Sequence, residues 1–199
     1  MQGYTDSMKR LTEAFGRMPG IGQKTAERLT YYVLRTPAEE MGALAQAIVD
    51  VKETVHHCSQ CHNITEADPC SICADTRRDA GTVCVVEEPK DLFAIEAGGA
   101  YRGVYHVLMG RIAPLENVGP EALTVASLIE RVRRGGVKEV ILATNPNLEG
   151  DGTALYLSKA LDGLNVRVSR LARGLATGSS IEHVNATILA EALKERKEA

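Results

Sequence analysis

Tryptophan is absent from the 199 residues, phenylalanine occurs twice, and aromatic side chains make up 4% of the chain. So sparse a supply argues against holding single strands by stacking bases on an aromatic platform. Long apolar runs are missing too: none approaches the roughly 18–20 residues of a membrane span. The opening MQGYTDSMKR has no apolar signal core. A cytosolic protein is therefore expected, and the N-x-T triplets at Asn63 and Asn185 carry no meaning for glycosylation. An excess of positive charge is also lacking. At a net −3, affinity for nucleic acid would have to come from a local basic patch. Neither a fixed-period repeat nor a low-complexity tract is present.

What is there reads as several modules. With 44% hydrophobic residues the chain can build one medium domain or two to three small ones. Residues 8–35 suggest two short helices around MPGIG, and residues 37–54 an amphipathic helix with Pro37 in its first turn. Residues 56–80 are polar and loop-like. Beyond them, strands at 82–87, 102–108, 138–143 and 165–170 alternate with helices at 89–98, 121–136 and 152–163. That alternation implies crossover connections and a mainly parallel sheet flanked by helices. A last helix is expected from Ile181, after the glycine-dotted ARGLATGSS.

The first chemical motif is the turn Pro19-Gly20-Ile21-Gly22 between the two N-terminal helices. Leu11 and Phe15 on the first helix and Ala26, Leu29 and Val33 on the second supply facing apolar positions, with Ile21 as a plug. Gly20 and Gly22 allow backbone dihedrals closed to other residues and close approach of a ligand. Free amides at the start of the second helix make an anion site. Lys24 and Arg28, four apart, share one side of that helix. Residues 8–35 hold six basic residues against two acidic ones, so backbone phosphate would bind without regard to sequence and with strong salt dependence. The plainer alternative is a helical hairpin whose glycines serve only the turn. The motif resembles the helix-hairpin-helix of DNA repair proteins.

The second motif is HHCSQCHNITEADPCSIC. Disulfides are not expected in a reducing compartment, and two C-x2-C knuckles, Cys58/Cys61 and Cys70/Cys73, offer the four thiolates that zinc prefers. Four thiolates leave no open coordination position, so the zinc is expected to be structural. His56, His57 or His62 replacing one ligand is a lesser alternative, and an iron–sulfur cluster a lesser one still. Cys84, alone in a β-branched run, reads as a buried core thiol.

The third motif lies past the strands. VCVVEEPKDL puts Glu87 at one strand end, and ATNPNLEGDG follows another. The pair resembles a Toprim domain, in which a strand-end Glu acts as general acid or base and a D-x-D pair holds Mg²⁺. Here asparagines, Asn145 and Asn147, stand where both aspartates would be, and neutral amides serve a hard cation poorly. Glu149 and Asp151 follow, where carboxylates suit the start of the next helix or present an acidic surface to a partner. Glu87 and Glu88 are expected either to cap a helix or form a local ion pair, or to face a partner. Arg131, Arg133 and Arg134 read as a solvated helix end, and Arg167, Arg170 and Arg173 as candidates to extend a basic strip.

Taken in order, the modules with DPCSIC, VVEEPKDL and ATNPN make the whole chain resemble the RecR family of bacterial recombination mediators. The resemblance implies a helix-hairpin-helix region over 1–55, a four-cysteine zinc finger over 56–80, a Toprim sheet over 81–170 and a C-terminal segment over 171–199. It implies no enzyme activity, a role with RecO and in some contexts RecF in loading RecA on SSB-covered single-stranded DNA, and dimers or ring-like tetramers around DNA at the nucleoid. Its DNA contacts would fall on Lys24 and Arg28 with Gly20 and Gly22, and its RecO contacts on Glu149 and Asp151. Two departures stand out: Asp151 replaces a usual Glu, and Asn185 with Ala186 occupies positions often acidic, which weakens any nucleotide role for the tail. The competing reading is a Mg²⁺-dependent nuclease or primase using Glu87, Glu149 and Asp151. A purely structural adaptor is the third.

Overall fold

A computed structural model describes residues 3–175, 178–194 and 196, which fold as two compact units, Met1–Val55 and His56–Ala199. In the first, helix α1 (Asp6–Gly16) starts where the Thr5 hydroxyl accepts from the Met8 amide at 3.4 Å. Helix α2 (Gln23–Arg35) follows the glycine turn. The two helices meet at a polar contact that periodicity does not reveal. Thr12 and Thr30 are buried and hydrogen-bonded to each other at 2.8 Å. Each also touches the carbonyl one turn back in its own helix, at 2.9 and 3.0 Å, so both are satisfied. Small side chains here, with buried Ala26, let the backbones come close, while Leu11, Phe15, Leu29 and Val33 flank the seam half-buried.

Helix α3 (Ala38–Thr54) forms as expected, with Pro37 as its cap rather than inside its first turn. None of its residues is buried, so its apolar stripe of Leu44, Ile48 and Val51 stays exposed.

The second unit begins with a short antiparallel pair, β1 (His56–His57) with β2 (Ile64–Thr65), and a one-turn helix α4 (Ser71–Ala74). Strands β3 (Asp79–Val86), β4 (Gly103–Val107), β5 (Glu139–Leu142) and β6 (Arg167–Arg170) then form a parallel sheet in the order β4-β3-β5-β6. Alternate residues of the central strand serve opposite faces. Val83 and Val85 join Leu128 and Val132 of helix α6 (Val125–Arg133) and Leu157 of helix α7 (Leu148–Ala160). Cys84 and Val86 join Leu92 of helix α5 (Pro89–Ala97). Cys84 is the buried thiol expected, and burial pushes its pKa up to about 12.

Three helices start elsewhere than the pattern suggests, each because a side chain captures the backbone. Residues 120–122 form a separate 3-10 turn, and the Thr124 hydroxyl binds the Val107 carbonyl at 2.7 Å, so α6 begins at Val125 rather than Glu121. Asn147 accepts from the Gly150 amide at 2.8 Å, so α7 begins at Leu148 rather than Gly152. Asn185 does the same for Ile188 at 2.9 Å, and helix α8 (Ala186–Lys194) begins only after a 3-10 turn at Ile181–His183.

Candidate functional site

At the carboxyl end of β3, Glu87 is 4% exposed, a burial that a carboxylate tolerates only with partners. It finds them on the loop after β5. The Asn145 backbone amide donates to one oxygen at 2.8 Å, and the Asn145 side-chain amide to the other at 2.6 Å. Asparagine at 145 is therefore the donor that satisfies Glu87. An aspartate there would set carboxylate against carboxylate. Asn147 is equally committed, as the cap of α7. Both amides have structural duties, and neither side chain supplies the charge that a divalent cation would need.

The expected ion pair or cap is found one residue later. Glu88 forms a reciprocal capping box with Asp91 at the start of α5 and pairs with Lys90 at 2.7 Å, whereas Glu87 does neither. The strand-end cluster is also tight. A Cβ on Gly150 would run into the Asn145 carbonyl and come within 2.8 Å of Glu87. Gly150→Ala is expected to cost about 1–3 kcal/mol through overpacking. A urea denaturation midpoint equal to that of the parent would contradict so close a fit.

Glu149 and Asp151, expected where the next helix begins, lie in the first turn of α7 and suit its dipole. Their situations differ. Asp151 binds Arg173 and also Arg170, the latter at 2.5 Å, and Arg173 reaches Glu191 at 3.2 Å. The Arg173 and then the Arg170 guanidinium hold the Asp151 carboxyl below its ordinary pKa. Asp151 thus ties α7 to β6 and the chain after it, and Arg173 carries the link on to α8. Among the described residues Glu149 has no ion pair, and it sits beside Leu148, which is 85% exposed. The arginines expected as a basic strip are largely engaged with acids, Arg167 lying 3.8 Å from Glu139. Arg131 also departs from expectation: it is half-buried and donates to the Tyr105 carbonyl at 2.7 Å.

In the N-terminal unit, Gly20 takes φ +78°, a conformation that favours glycine. Gly22 does not: at φ −81° it is an extended helix cap that other residues could adopt, so only one of the two glycines is required by dihedral. Ile21 is half-buried, and its amide bonds the Met18 carbonyl at 3.1 Å. Among the described residues, the amides of Gly22, Gln23 and Lys24 donate to no backbone carbonyl and point from the start of α2. Lys24 and Arg28 lie one turn apart, and among the described residues neither has a carboxylate partner. Open amides beside two unpaired cations make a surface suited to oxyanions.

The four cysteines converge as their spacing suggests. The sulfurs of Cys58, Cys61, Cys70 and Cys73 all lie within 4.8 Å of one another, those of Cys61 and Cys70 at 3.6 Å. A tetrahedral zinc with bonds of about 2.3 Å needs ligand sulfurs about 3.8 Å apart, so the set fits. The Cys70 amide donates to the Cys58 sulfur at 3.4 Å, the kind of contact that stabilises a bound thiolate. The histidines are not in this group. His62 instead contacts the Ser127 hydroxyl at 2.8 Å through Nε2 and packs edge-on against His106. The cysteines are a structural zinc centre.

Three models of known families match successive stretches of the chain. The family model for the RecR helix-hairpin-helix matches residues 8–52, that for the RecR four-cysteine zinc finger domain residues 55–75, and that for the Toprim domain residues 81–172. Proteins named recombination protein RecR match over nearly their full length. The one from Rhodopirellula baltica is 48% identical over 197 residues, 99% of each chain. That from Chloroflexus aurantiacus is 54% identical over 189 residues, 95% of this chain and 93% of its own. That from Desulforudis audaxviator is 48% identical over 195 residues, 98% of each.

Proposed function

The chain belongs to the RecR family of recombination proteins, and on that premise we propose that it is a non-catalytic, DNA-binding recombination mediator. It acts with RecO, and in some settings with RecF, to load RecA onto single-stranded DNA covered by SSB. It works in the cytoplasm at the nucleoid, self-associated as a dimer or a ring-like tetramer that closes around DNA. The observation that carries this reading is the opposite treatment of charge at two places. At the glycine turn, Lys24 and Arg28 stand without a carboxylate partner among the described residues, beside open amides. At the strand ends, the acid that a Toprim enzyme would use is bound up by Asn145. The first arrangement suits holding a phosphodiester, and the second withholds the carboxylates that cutting one with Mg²⁺ would require. Glu149, with no ion pair among the described residues and next to exposed Leu148, is the favoured contact for RecO, whereas Asp151 acts mainly by holding α7 in place.

Lys24→Ala combined with Arg28→Ala is expected to weaken binding of an oligonucleotide about 10–100-fold at low salt. It should also flatten the salt dependence by about one to two released counterions, with the unfolding midpoint unchanged. Undiminished affinity would remove the hairpin from the interface. Metal-dependent scission of labelled DNA that disappears in Glu87→Gln would replace the whole reading with the nuclease one.

A further inference from the structure

A second basic site lies in the other unit, where the first zinc knuckle meets α6. Ser59, Gln60, Ser127, Glu130, Arg131 and Arg134 line a cavity of about 300 Å³. The knuckle is anchored there by the Val107 amide, which donates to the Cys61 carbonyl at 2.8 Å, and by the contact of His62 with Ser127. The cavity is thus shaped by two segments far apart in sequence, not by a frayed helix end.

The charges inside are unbalanced. Arg131 uses one nitrogen on the Tyr105 carbonyl, and among the described residues no carboxylate lies within ion-pair distance of it. Among the described residues Arg134 pairs only with Glu130 one turn back, at 3.2 Å, and both side chains are largely exposed, so that pair is weak. Two guanidinium groups therefore face a single carboxylate. A half-buried cation without a counter-ion is costly, and an incoming anion would relieve it. We propose that this cavity is a second phosphate-binding site, which takes a phosphodiester of a nucleic-acid strand.

The lining selects this ligand over an acidic peptide. None of the six residues is apolar, whereas protein partners draw on apolar contact, and nucleic-acid interfaces are more polar and more positive. Donors come from two separate segments, with Arg131 on α6, Arg134 at its carboxyl-terminal cap and Gln60 on the knuckle. That spread suits a tetrahedral oxyanion better than a flat carboxylate. The inference rests on the DNA-binding reading and adds to it a contact distant in sequence from the glycine turn.

The test uses the full, zinc-loaded chain. Inorganic phosphate is titrated while the Gln60 side-chain amide and Arg131 Nε–H resonances are followed, with polyglutamate and oligothymidylate as competitors. Saturable shifts reversed by oligothymidylate are expected. In parallel, Gln60→Glu and Arg134→Gln, both exposed positions, should each weaken oligothymidylate binding about tenfold at low salt, and Arg134→Gln should reduce its salt slope by about 0.7. Shifts produced by polyglutamate but not by phosphate would overturn the proposal in favour of a protein partner, and no shift would overturn it outright. If Lys24→Ala with Arg28→Ala weakens binding while Gln60→Glu and Arg134→Gln do not, this site fails and the DNA reading stands. If the parent chain binds no oligonucleotide at low salt, both fail.

Discussion

Cys61→Ser is expected to yield protein without zinc in which residues 56–75 lose their fold while the parallel sheet persists. The reason is how little else holds that segment. Its buried residues are Cys58, Cys61, Cys70 and Asn63, and its cluster adds only half-buried Ile72 and Cys73. Without metal there is no apolar core to offset the entropy of ordering some twenty residues. Structural zinc contributes roughly 10–16 kcal/mol in isolated finger peptides near neutral pH, so its loss outweighs every other contact there. The sheet has its own supply. Thirteen buried residues on one face, from Val83 to Leu161, include none from the finger. Zinc content by atomic absorption, with limited proteolysis and far-ultraviolet dichroism, checks the outcome. Stoichiometric zinc in Cys61→Ser, or an intact 56–75 segment after chelation of the parent, would mean that something other than the metal organises the knuckles.

The same loss should reach the cavity beside α6. Val107 would lose the Cys61 carbonyl, and Ser127 would lose His62, so the wall formed by Ser59 and Gln60 would no longer face Arg131. Zinc is thus placed to act on nucleic-acid affinity through shape, without touching the ligand.

Some of these features are legible in the residues alone and others are hidden, and the difference is physical. Strand β3 can be read because burial on both faces demands a near-continuous apolar run, here VCVV. The zinc centre can be read because a metal fixes both ligand type and spacing. Helix starts at 121, 152 and 181 are displaced because a single polar side chain decides each. Asn147 and Asn185 capture local backbone, as such residues do in loops too, and Thr124 binds the Val107 carbonyl on β4. The Thr12–Thr30 contact is invisible, since a buried hydroxyl pair looks like two surface positions until the helices cross. At the strand ends, residue types alone indicate that amides stand in place of acids. What the replacement does, Asn145 satisfying Glu87 across fifty-eight residues of chain, requires the fold.

That pairing yields the sharpest test. Asn145→Asp is expected to destabilise the protein by about 3 kcal/mol or more at neutral pH. The variant loses a charge-assisted hydrogen bond to a buried carboxylate and gains repulsion at the same short range. The sign with pH follows from the charge. In the folded variant one of the two facing carboxyls holds a proton more readily than in the unfolded chain, so the penalty is fully present at neutral pH and fades as pH falls into the carboxylate range. Asn145→Leu, which removes the donor without adding charge, should be destabilised with no such recovery. Millimolar Mg²⁺ should raise the melting temperature of Asn145→Asp, and more so when Asn147→Asp is added, because facing carboxylates are what a hard cation seeks. The parent should not respond. If Asn145→Asp were as stable as the parent at neutral pH without added cation, Glu87 would not depend on the amide. The strand-end cluster would then have to be regarded as an acid site still open to metal.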